Sequence, residues 1–305
     1  MTLTELRFCY LLAYDSLRRR YQPMEKTDPE RMECMEVWGG NQAVQRTFIT
    51  PGLKIYIDSQ PYGQAPGGGD VYYLSSCASG RITRMLLADV SGHGELVSQT
   101  AVGLRDLMRR NVNYVKQTRF VRAMNRQFAD LGEQGGFATA LVSTFFATTM
   151  TYSLCNAGHP VPLVFRRGTS QWSELKNEAS CSRPISDTPL GVVDEASYGQ
   201  LDVRLEAGDM VLSFSDAVTE SEDGDGRQLG EAGVLRLVRE LGTQDSEEIV
   251  PALVERIRGL RDSNLRQDDA TFLLGQATGG GPSMKNNLLA PLRFLRRIAD
   301  HTRIA

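Results

Sequence analysis

Four aspartates stand at the ends of apolar, strand-like stretches, and this pattern limits what the chain can form. They are Asp70 in APGGGDVYYL, Asp89 in MLLADVSGHGE, Asp216 in MVLSFSDAVTE and Asp268, with Asp269 behind it, in RQDDATFLLG. A carboxylate at a strand end can point into a cleft while its apolar neighbours anchor the core. Four carboxylates in one cleft repel one another unless cations neutralise them. Because Mg²⁺ and Mn²⁺ prefer carboxylate, carbonyl and water oxygens, the pattern predicts a pair of such ions, an arrangement suited to phosphoryl transfer or hydrolysis.

Composition narrows the class of protein. The chain has 305 residues, of which 41% are hydrophobic, enough for one large domain or two small ones. A net charge of −3 argues against a nucleic-acid partner. The five cysteines are odd in number and show no CxxC spacing, which predicts a reduced, cytoplasmic protein without structural zinc. No stretch approaches the ~20 apolar residues of a membrane span, and Arg7 and Asp15 interrupt the N-terminal apolar residues, which argues against a signal peptide.

Strand-like runs interleaved with pairs of helix-like segments predict an α+β fold. Residues 168–188 are polar and are predicted to form a loop, and residues 24–50 show no clear pattern. The predicted strands are 52–58, 71–77, 81–89, two within 137–158, 201–205, 209–215 and 270–275. The predicted helices are 94–112, 119–131, 229–241 and 247–262.

A set of short segments, in a fixed order between residues 50 and 276, carries a resemblance to a known family. The segments are GGGDVYY, ADVSGHG, AMNRQF, FATALVSTFF, CNAGHPVPLVF, PLGVVDEASY, LEAGDMVLSFSDAVTE and RQDDATFLL. The ordered set resembles the metal-dependent protein serine/threonine phosphatases (PPM), in the bacterial SpoIIE/RsbU-like branch. The resemblance implies two stacked antiparallel β-sheets flanked by helices, an αββα sandwich.

The resemblance also implies a division of the chain. Residues 1–50 would be an N-terminal helical or regulatory segment, and residues 51–276 the phosphatase domain. Residues 277–305 would be a glycine-rich linker followed by a basic amphipathic tail.

The resemblance assigns roles to the carboxylates one by one. Asp89 would bridge two Mn²⁺ or Mg²⁺ ions, and the carbonyl of Val90 would add a ligand. Asp216 and Asp268 would each bind one of the ions. Asp70 would also belong to the metal site, because it would hold the metal-bound water that attacks. Asp70 and Asp89 are thus the expected catalytic residues, while Asp269 would have a supporting role.

The activity implied is hydrolysis of phosphoserine or phosphothreonine on a partner protein. In this branch the substrate is typically a small anti-sigma-factor antagonist in a bacterial partner-switching pathway. Three departures from the family pattern keep a second interpretation open, that of a catalytically weak or inactive phosphoprotein-binding relative. One is that no counterpart of the phosphate-binding arginine of the eukaryotic branch is recognisable. Tyr73 stands where the family often has a second acidic residue, and Ala217 stands where the family usually has glycine. If position 217 needs a positive φ, alanine there costs about 1 kcal/mol or more.

Three further polar features are expected to have structural rather than catalytic roles. Ser91 and His93 lie next to Asp89, but GxSxG is absent, so a serine hydrolase is disfavoured. His159 in NAGHP is expected to hold a strand end, and Asn125 is expected to pack or cap a helix.

The two ends of the chain suggest contacts with other molecules. Residues 2–20 carry apolar residues at heptad spacing, so they form either a dimer helix or a helix that packs on its own domain. Residues 285–305 carry five basic residues against Asp300. They suit an anionic membrane surface or an acidic partner, with a frayed or folded-back end as the alternative.

Overall fold

A computed structural model describes residues 29–32, 37–77, 80–91, 95–111, 114, 116–131, 136–176 and 188–280. The predictions for segments 2–20 and 285–305, and for His93, lie outside these residues. None of the helices in the described ranges is long and apolar enough to cross a membrane.

Strands account for most of the regular structure in the described ranges. In chain order they are β1 (Glu30–Arg31), β2 (Val37–Gly40), β3 (Val44–Thr50), β4 (Leu53–Gln60), β5 (Asp70–Cys77), β6 (Ile82–Val90), β7 (Ala138–Phe146), β8 (Thr151–Ala157), β9 (Leu163–Arg166), β10 (Gln171–Glu174), β11 (Leu201–Arg204), β12 (Met210–Phe214) and β13 (Ala270–Ala277). The helices are α1 (Glu95–Asn111), α2 (Gln117–Leu131), α3 (Asp216–Glu220), α4 (Gly230–Glu240) and α5 (Ser246–Leu260), with one 3-10 turn at Tyr62–Gln64.

The strands form two sheets, which confirms the α+β prediction. The first sheet has the order β1-β3-β4-β13-β12-β9-β10, and the second has the order β11-β8-β7-β6-β5-β2. Every pairing is antiparallel except the short parallel contact between β1 and β3.

Alternation along the strands builds three apolar layers, since successive side chains point to opposite faces of a sheet. Between the sheets lies a core that includes Ile55, Leu74, Met85, Leu141 and Leu273. The outer face of the second sheet packs on α1 and α2, and the outer face of the first sheet packs on α4 and α5. The result is the αββα sandwich that the resemblance implied.

Two predictions of local structure need correction. The boundary placed between residues 50 and 51 falls in the turn of a hairpin, because β3 pairs with β4 from Val44–Ser59 to Thr50–Leu53. The sandwich therefore includes strands that precede residue 51. The polar segment 168–188 is not a loop throughout, because Gln171–Glu174 forms β10 beside β9 and buries Trp172 against Phe165.

Candidate metal centre

The four aspartates meet at one end of the sandwich because of strand order. Asp70 begins β5 and Asp89 lies near the end of β6, and the two are direct partners in the β5–β6 ladder. Asp216 follows β12 and Asp268 precedes β13, and these two strands are antiparallel neighbours in the other sheet. The β5–β6 pair of one sheet and the β12–β13 pair of the other thus bring their carboxylates to the same edge of the sandwich.

Asp70 is the most constrained of the four. It is 2% exposed, and neither of its carboxylate oxygens has a hydrogen-bond partner in the described part of the chain. Burial, followed by the negative charge of Asp89, raises the pKa of Asp70 well above its usual range, while the nearby hydroxyls of Thr271 and Ser215 lower it in part. A buried carboxylate without partners costs several kcal/mol unless it is protonated or meets a cation.

Asp89 occupies the electrostatic centre of the group. Its side chain is half-buried, and burial raises its pKa to about 7, with further contributions from Asp216, Asp268 and Asp269. The charges of three aspartates and of Glu220 therefore all act on Asp89. A divalent cation among these carboxylates would attract each of them and so offset their mutual repulsion.

The backbone next to Asp89 faces the same space. A Cβ atom added to Gly69 would lie 2.9 Å from the carbonyl oxygen of Val90 and 3.4 Å from Oδ1 of Asp89. The Val90 carbonyl and the Asp89 carboxylate therefore border the gap that Gly69 leaves open. A side chain at position 69 would fill this gap.

Asp216 and Asp268 differ in exposure. Asp216 opens α3, and its pKa is raised by burial and by the charges of Glu220 and Asp268. It lines a cavity of about 400 Å³ together with Thr139 and His159. Asp268 is exposed, and its Oδ1 accepts the backbone N–H of Asp269 at 2.8 Å.

Asp269 has the supporting position that was expected. Its Oδ1 accepts the N–H of Tyr62 at 2.6 Å, and its Oδ2 accepts the N–H of Gly69 at 2.5 Å. Its carboxylate occupies the space next to Gly68 where a side chain would clash. Asp269 thus fixes the glycine-rich loop of one sheet to β13 of the other, and this contact sets the position of Asp70.

Ser215 joins the two strands that carry Asp216 and Asp268. Its N–H donates to the carbonyl of Thr271 at 3.0 Å, and its Oγ accepts the N–H of Thr271 at 2.9 Å. The end of β12 is thereby held against the start of β13, which keeps the two carboxylates on the same side of the cleft.

The donor set is made of oxygen atoms, which fits Mg²⁺ or Mn²⁺. The orphaned carboxylate of Asp70 and the open space at Gly69 fit the same ions. The carboxylates are not drawn together into a closed cage, since no three His, Cys, Asp or Glu side chains in the described ranges reach metal-binding proximity. Residues 92–94, which follow Asp89 closely in the sequence, lie outside those ranges.

Glu220 is an acidic residue that the sequence prediction missed. Its charge raises the pKa of both Asp89 and Asp216. The signal was present, because Asp216 and Glu220 are four residues apart and share one face of a helix.

His159 ties the second sheet to this edge, as expected for a residue that holds a strand end. Its Nδ1 lies 2.9 Å from the hydroxyl of Thr139, the residue opposite Asp89 in the β6–β7 ladder. Burial lowers the pKa of His159 to about 3, so the ring is neutral near pH 7 and does not act as a cationic acid.

Two other residues near the site have structural roles. The amide of Asn125 donates to the carbonyls of Val193 and Asp194 and accepts the N–H of Gly191, and so fastens the loop after β10 to α2. The hydroxyl of Ser91 accepts the N–H of Phe137 at 3.1 Å, which is a loop contact rather than a nucleophile paired with a base.

Tyr73, which stands where the family often has a second acidic residue, does not face the cleft. Tyr73 lies three positions after Asp70 on the same strand, so its side chain points to the opposite face of the sheet. It is fully buried in the layer between the second sheet and its helices. A residue there cannot replace or disturb a carboxylate that points between the sheets.

The condition under which Ala217 would be unfavourable, a positive φ at position 217, is not met. Ala217 is the second residue of α3, is 7% exposed, and is not among the described non-glycine residues with positive φ, which are Met150, Ser170 and Leu265. A helical backbone accepts alanine without strain.

Replacing Ala217 with glycine should therefore weaken the protein rather than activate it. We expect the free energy of unfolding to fall by about 1 kcal/mol, since glycine is disfavoured in a helix and removes a buried methyl. Denaturant titration measures this loss. A higher rate or tighter Mn²⁺ binding in Ala217→Gly would contradict the structural interpretation.

The raised pKa of Asp89 predicts how the stability of the metal-free protein depends on pH. Between its ordinary value of 3.8 and about 7, the folded chain holds more protons than the unfolded chain. The free energy of unfolding therefore decreases as pH rises through this window. Thermal melts in chelator should show a midpoint that falls toward neutral pH, and Asp89→Asn should flatten that slope. A midpoint that rises over the same range in chelator would be the opposite of this expectation.

Comparison with known proteins agrees with the geometry. The family model for Stage II sporulation protein E (SpoIIE) matches residues 79–277. Phosphoserine phosphatase RsbU of Bacillus subtilis is 22% identical over 160 residues, which is 52% of this chain and 45% of RsbU. The match thus spans less than half of the RsbU chain.

Solved structures share the fold. The RsbU and RsbW domains of Rv1364c from Mycobacterium tuberculosis align with a TM-score of 0.63 and 20% identity, over 85% of this chain and 71% of that one. The PP2C phosphatase domain of SpoIIE from Bacillus subtilis, solved with a fragment of its regulatory domain, aligns with a TM-score of 0.60 and 17% identity, over 81% and 64%. RsbX in complex with magnesium aligns with a TM-score of 0.55 and 14% identity, over 77% and 100%. Since the family model covers well over half of the sequence and the sandwich is that of the PP2C phosphatases, this chain belongs to the SpoIIE family.

Proposed function

We propose that the chain is a metal-dependent serine/threonine protein phosphatase that acts on a phosphorylated partner protein. The observation that carries the proposal is the buried, unpartnered carboxylate of Asp70 directly opposite Asp89. An arrangement that places repelling carboxylates in a cleft, at a cost in stability, is typical of a site built for a cation.

The residues that would hold two Mn²⁺ or Mg²⁺ ions are Asp89, the carbonyl of Val90, Asp216 and Asp268. When bound, the ions would neutralise charge on the phosphoryl group and lower the pKa of the attacking water. Asp89 would contribute the charge that keeps both ions, because the charges of Asp216, Asp268 and Asp269 all act on it. Asp70 accepts a hydrogen bond from the attacking water and orients it in line with the serine or threonine oxygen that leaves.

No covalent enzyme intermediate is needed in this scheme. Water adds to phosphorus, the bond to the side-chain oxygen breaks, and the products are inorganic phosphate and the free hydroxyl. His159 is buried and neutral, so a proton for the leaving oxygen comes from solvent or from the water network of the cleft.

The inactive-relative interpretation loses two of its three motives. Tyr73 points away from the cleft, and Ala217 sits in a helical backbone. An active phosphatase is the proposal that the described residues support.

The partner class is proposed from the relatives. One similar structure contains RsbU and RsbW domains, and another is described as part of the bacterial stressosome, a modular signalling system. We propose a small phosphoprotein of the anti-sigma-factor-antagonist type as the substrate, a cytoplasmic location and a partner-switching pathway. Dimer contact through residues 2–20 and membrane or partner contact through 285–305 remain separate proposals.

Removal of divalent ions should abolish activity. Excess chelator should silence hydrolysis of p-nitrophenyl phosphate and of a phosphoserine peptide, and Mn²⁺ should restore both. Asp262→Asn provides a matched control, because Asp262 is exposed at the end of α5 and outside the site. Full activity in chelator would refute the metal-dependent mechanism.

A further inference from the structure

A second polar cluster lies at the opposite end of the second sheet from the metal centre. The face of β5 that packs against the helices carries Tyr73, Ser75 and Cys77. Arg84 on β6 lies directly across from Ser75. Cys77 pairs with Ile82, two residues before Arg84, so it occupies the diagonal position to Arg84 on the same face. Diagonal neighbours in an antiparallel pair lie within reach of a long side chain.

Arg84 carries a charge that no carboxylate balances. It is 2% exposed, and it forms no ion pair with an acidic residue in the part of the chain that the structure describes. One guanidinium nitrogen, Nη2, donates to the carbonyl of Tyr114, and the guanidinium carbon lies 4.9 Å from the centre of the Phe120 ring. Among the residues that the structure describes, its Nε and Nη1 have no hydrogen-bond acceptor. A buried cation with free donors favours an anion next to it.

Cys77 is the group that can supply the negative charge. It forms no disulfide in the described part of the chain and is of intermediate exposure, so small reagents can reach it. Its interaction with Arg84 opposes the effect of burial, which lowers the pKa of the arginine. The other candidate, Tyr73, is fully buried, and burial raises the pKa of its hydroxyl, so it stays neutral.

Other groups around the cluster do not reverse this balance. Arg109 from α1 adds a second positive charge near Tyr73. From α2 come the Phe120 ring and Gln117, whose side-chain oxygen accepts the hydroxyl of Thr144 across from Arg84. The thiol Sγ lies 3.6 Å from the carbonyl of Ile82, a contact that favours the protonated form. A sulfur donor at that distance is weak compared with a buried guanidinium.

We propose that Arg84 holds Cys77 as a thiolate and makes it a site of covalent modification by small disulfides. The thiolate sulfur attacks one sulfur of the disulfide, a new S–S bond forms, and the other half leaves as a thiolate. Proton and electron counts are unchanged in this exchange. The mixed disulfide leaves Arg84 without its counter-charge next to Tyr114, between α1 and α2.

The pH dependence of alkylation tests the thiolate directly. Full-length protein is treated with iodoacetamide, and modification is followed on the tryptic peptide that runs from Ile55 to Arg81 and contains Cys77 as its single cysteine. At about pH 6.5 we expect wild type to react at least about tenfold faster than Arg84→Met, and the two rates to converge near pH 10. Arg84→Lys keeps the charge and should retain part of the advantage. Cys155 is fully buried and should stay unmodified in every variant, which verifies the fold.

A second reagent tests the proposed chemistry. Glutathione disulfide at about pH 7 should form a mixed disulfide at Cys77 in wild type, at least about tenfold faster than in Arg84→Met. Equal rates in the two proteins, with Cys155 protected in both, would overturn the proposal. If Arg84→Met exposes Cys155, the alkylation rates of wild type alone decide. A Cys77 alkylation rate at about pH 6.5 that is below about a tenth of the rate at pH 10 would indicate an ordinary thiol. That result would also overturn the proposal.

Discussion

Asp89→Asn should lower the rate of phosphoserine-peptide hydrolysis by about a thousandfold or more, equivalent to about 4 kcal/mol in the activation barrier. Asp89 lies opposite Asp70 in the ladder, next to the Val90 carbonyl, and within the field of Asp216 and Asp268. An amide at this position keeps the shape but removes the charge needed to retain two cations. Steady-state kinetics over a range of Mn²⁺ concentrations measures the loss.

Without metal, Asp89→Asn should be more stable than wild type, although it is less active with metal. Removing one of several mutually repelling carboxylates should raise the thermal midpoint in chelator at neutral pH, while Mn²⁺ should stabilise the variant less than it stabilises wild type. A variant that keeps wild-type turnover, or that gains as much stability from Mn²⁺ as wild type does, would contradict the role of Asp89.

Asp70→Asn should lower activity by about a hundredfold and stabilise the metal-free protein near neutral pH by about 1–3 kcal/mol. Both carboxylate oxygens of Asp70 are buried and have no hydrogen-bond partner among the described residues, so its charge destabilises the fold when no cation is present. The charge is retained, on this account, because the attacking water needs it. Chemical denaturation in chelator and kinetics with Mn²⁺ measure the two effects separately.

Asp58 provides the matched control for this experiment. Asp58 is 3% exposed, similar to Asp70, but its oxygens accept hydrogen bonds from Gln45 and Gln60 on the other face of the first sheet. Asp58→Asn should lose stability and keep its activity. If Asp70→Asn destabilises the protein as Asp58→Asn does, or leaves turnover unchanged, Asp70 is an ordinary structural residue.

The meeting of the aspartates could be predicted from local sequence because each marks the end of a strand. The short connection between Cys77 and Ile82 predicts that β5 and β6 are antiparallel partners, which brings Asp70 opposite Asp89. The position of Asp216 next to Asp268 depends on β12 pairing with β13 over more than fifty residues. No local pattern encodes that contact, and it was available only through the resemblance to the family.

Other features follow from elementary periodicity but were missed or misjudged. The period of two along a strand already places Tyr73 on the face opposite Asp70, and the spacing of four in α3 already relates Glu220 to Asp216. The helical backbone at Ala217 and the short β10 strand could not be predicted, because both depend on tertiary packing. Trp172 in β10, for example, is buried by Phe165 and by helix α4, which are distant from one another in sequence.

The most direct test of the metal centre is anomalous diffraction from crystals grown with Mn²⁺. Two manganese peaks are expected at the strand-end edge of the sandwich, where Asp89, the Val90 carbonyl, Asp216 and Asp268 would hold the ions and Asp70 would face the attacking water. Manganese bound elsewhere, or no peak at this edge in protein that hydrolyses a phosphoserine peptide, would contradict the proposed metal centre.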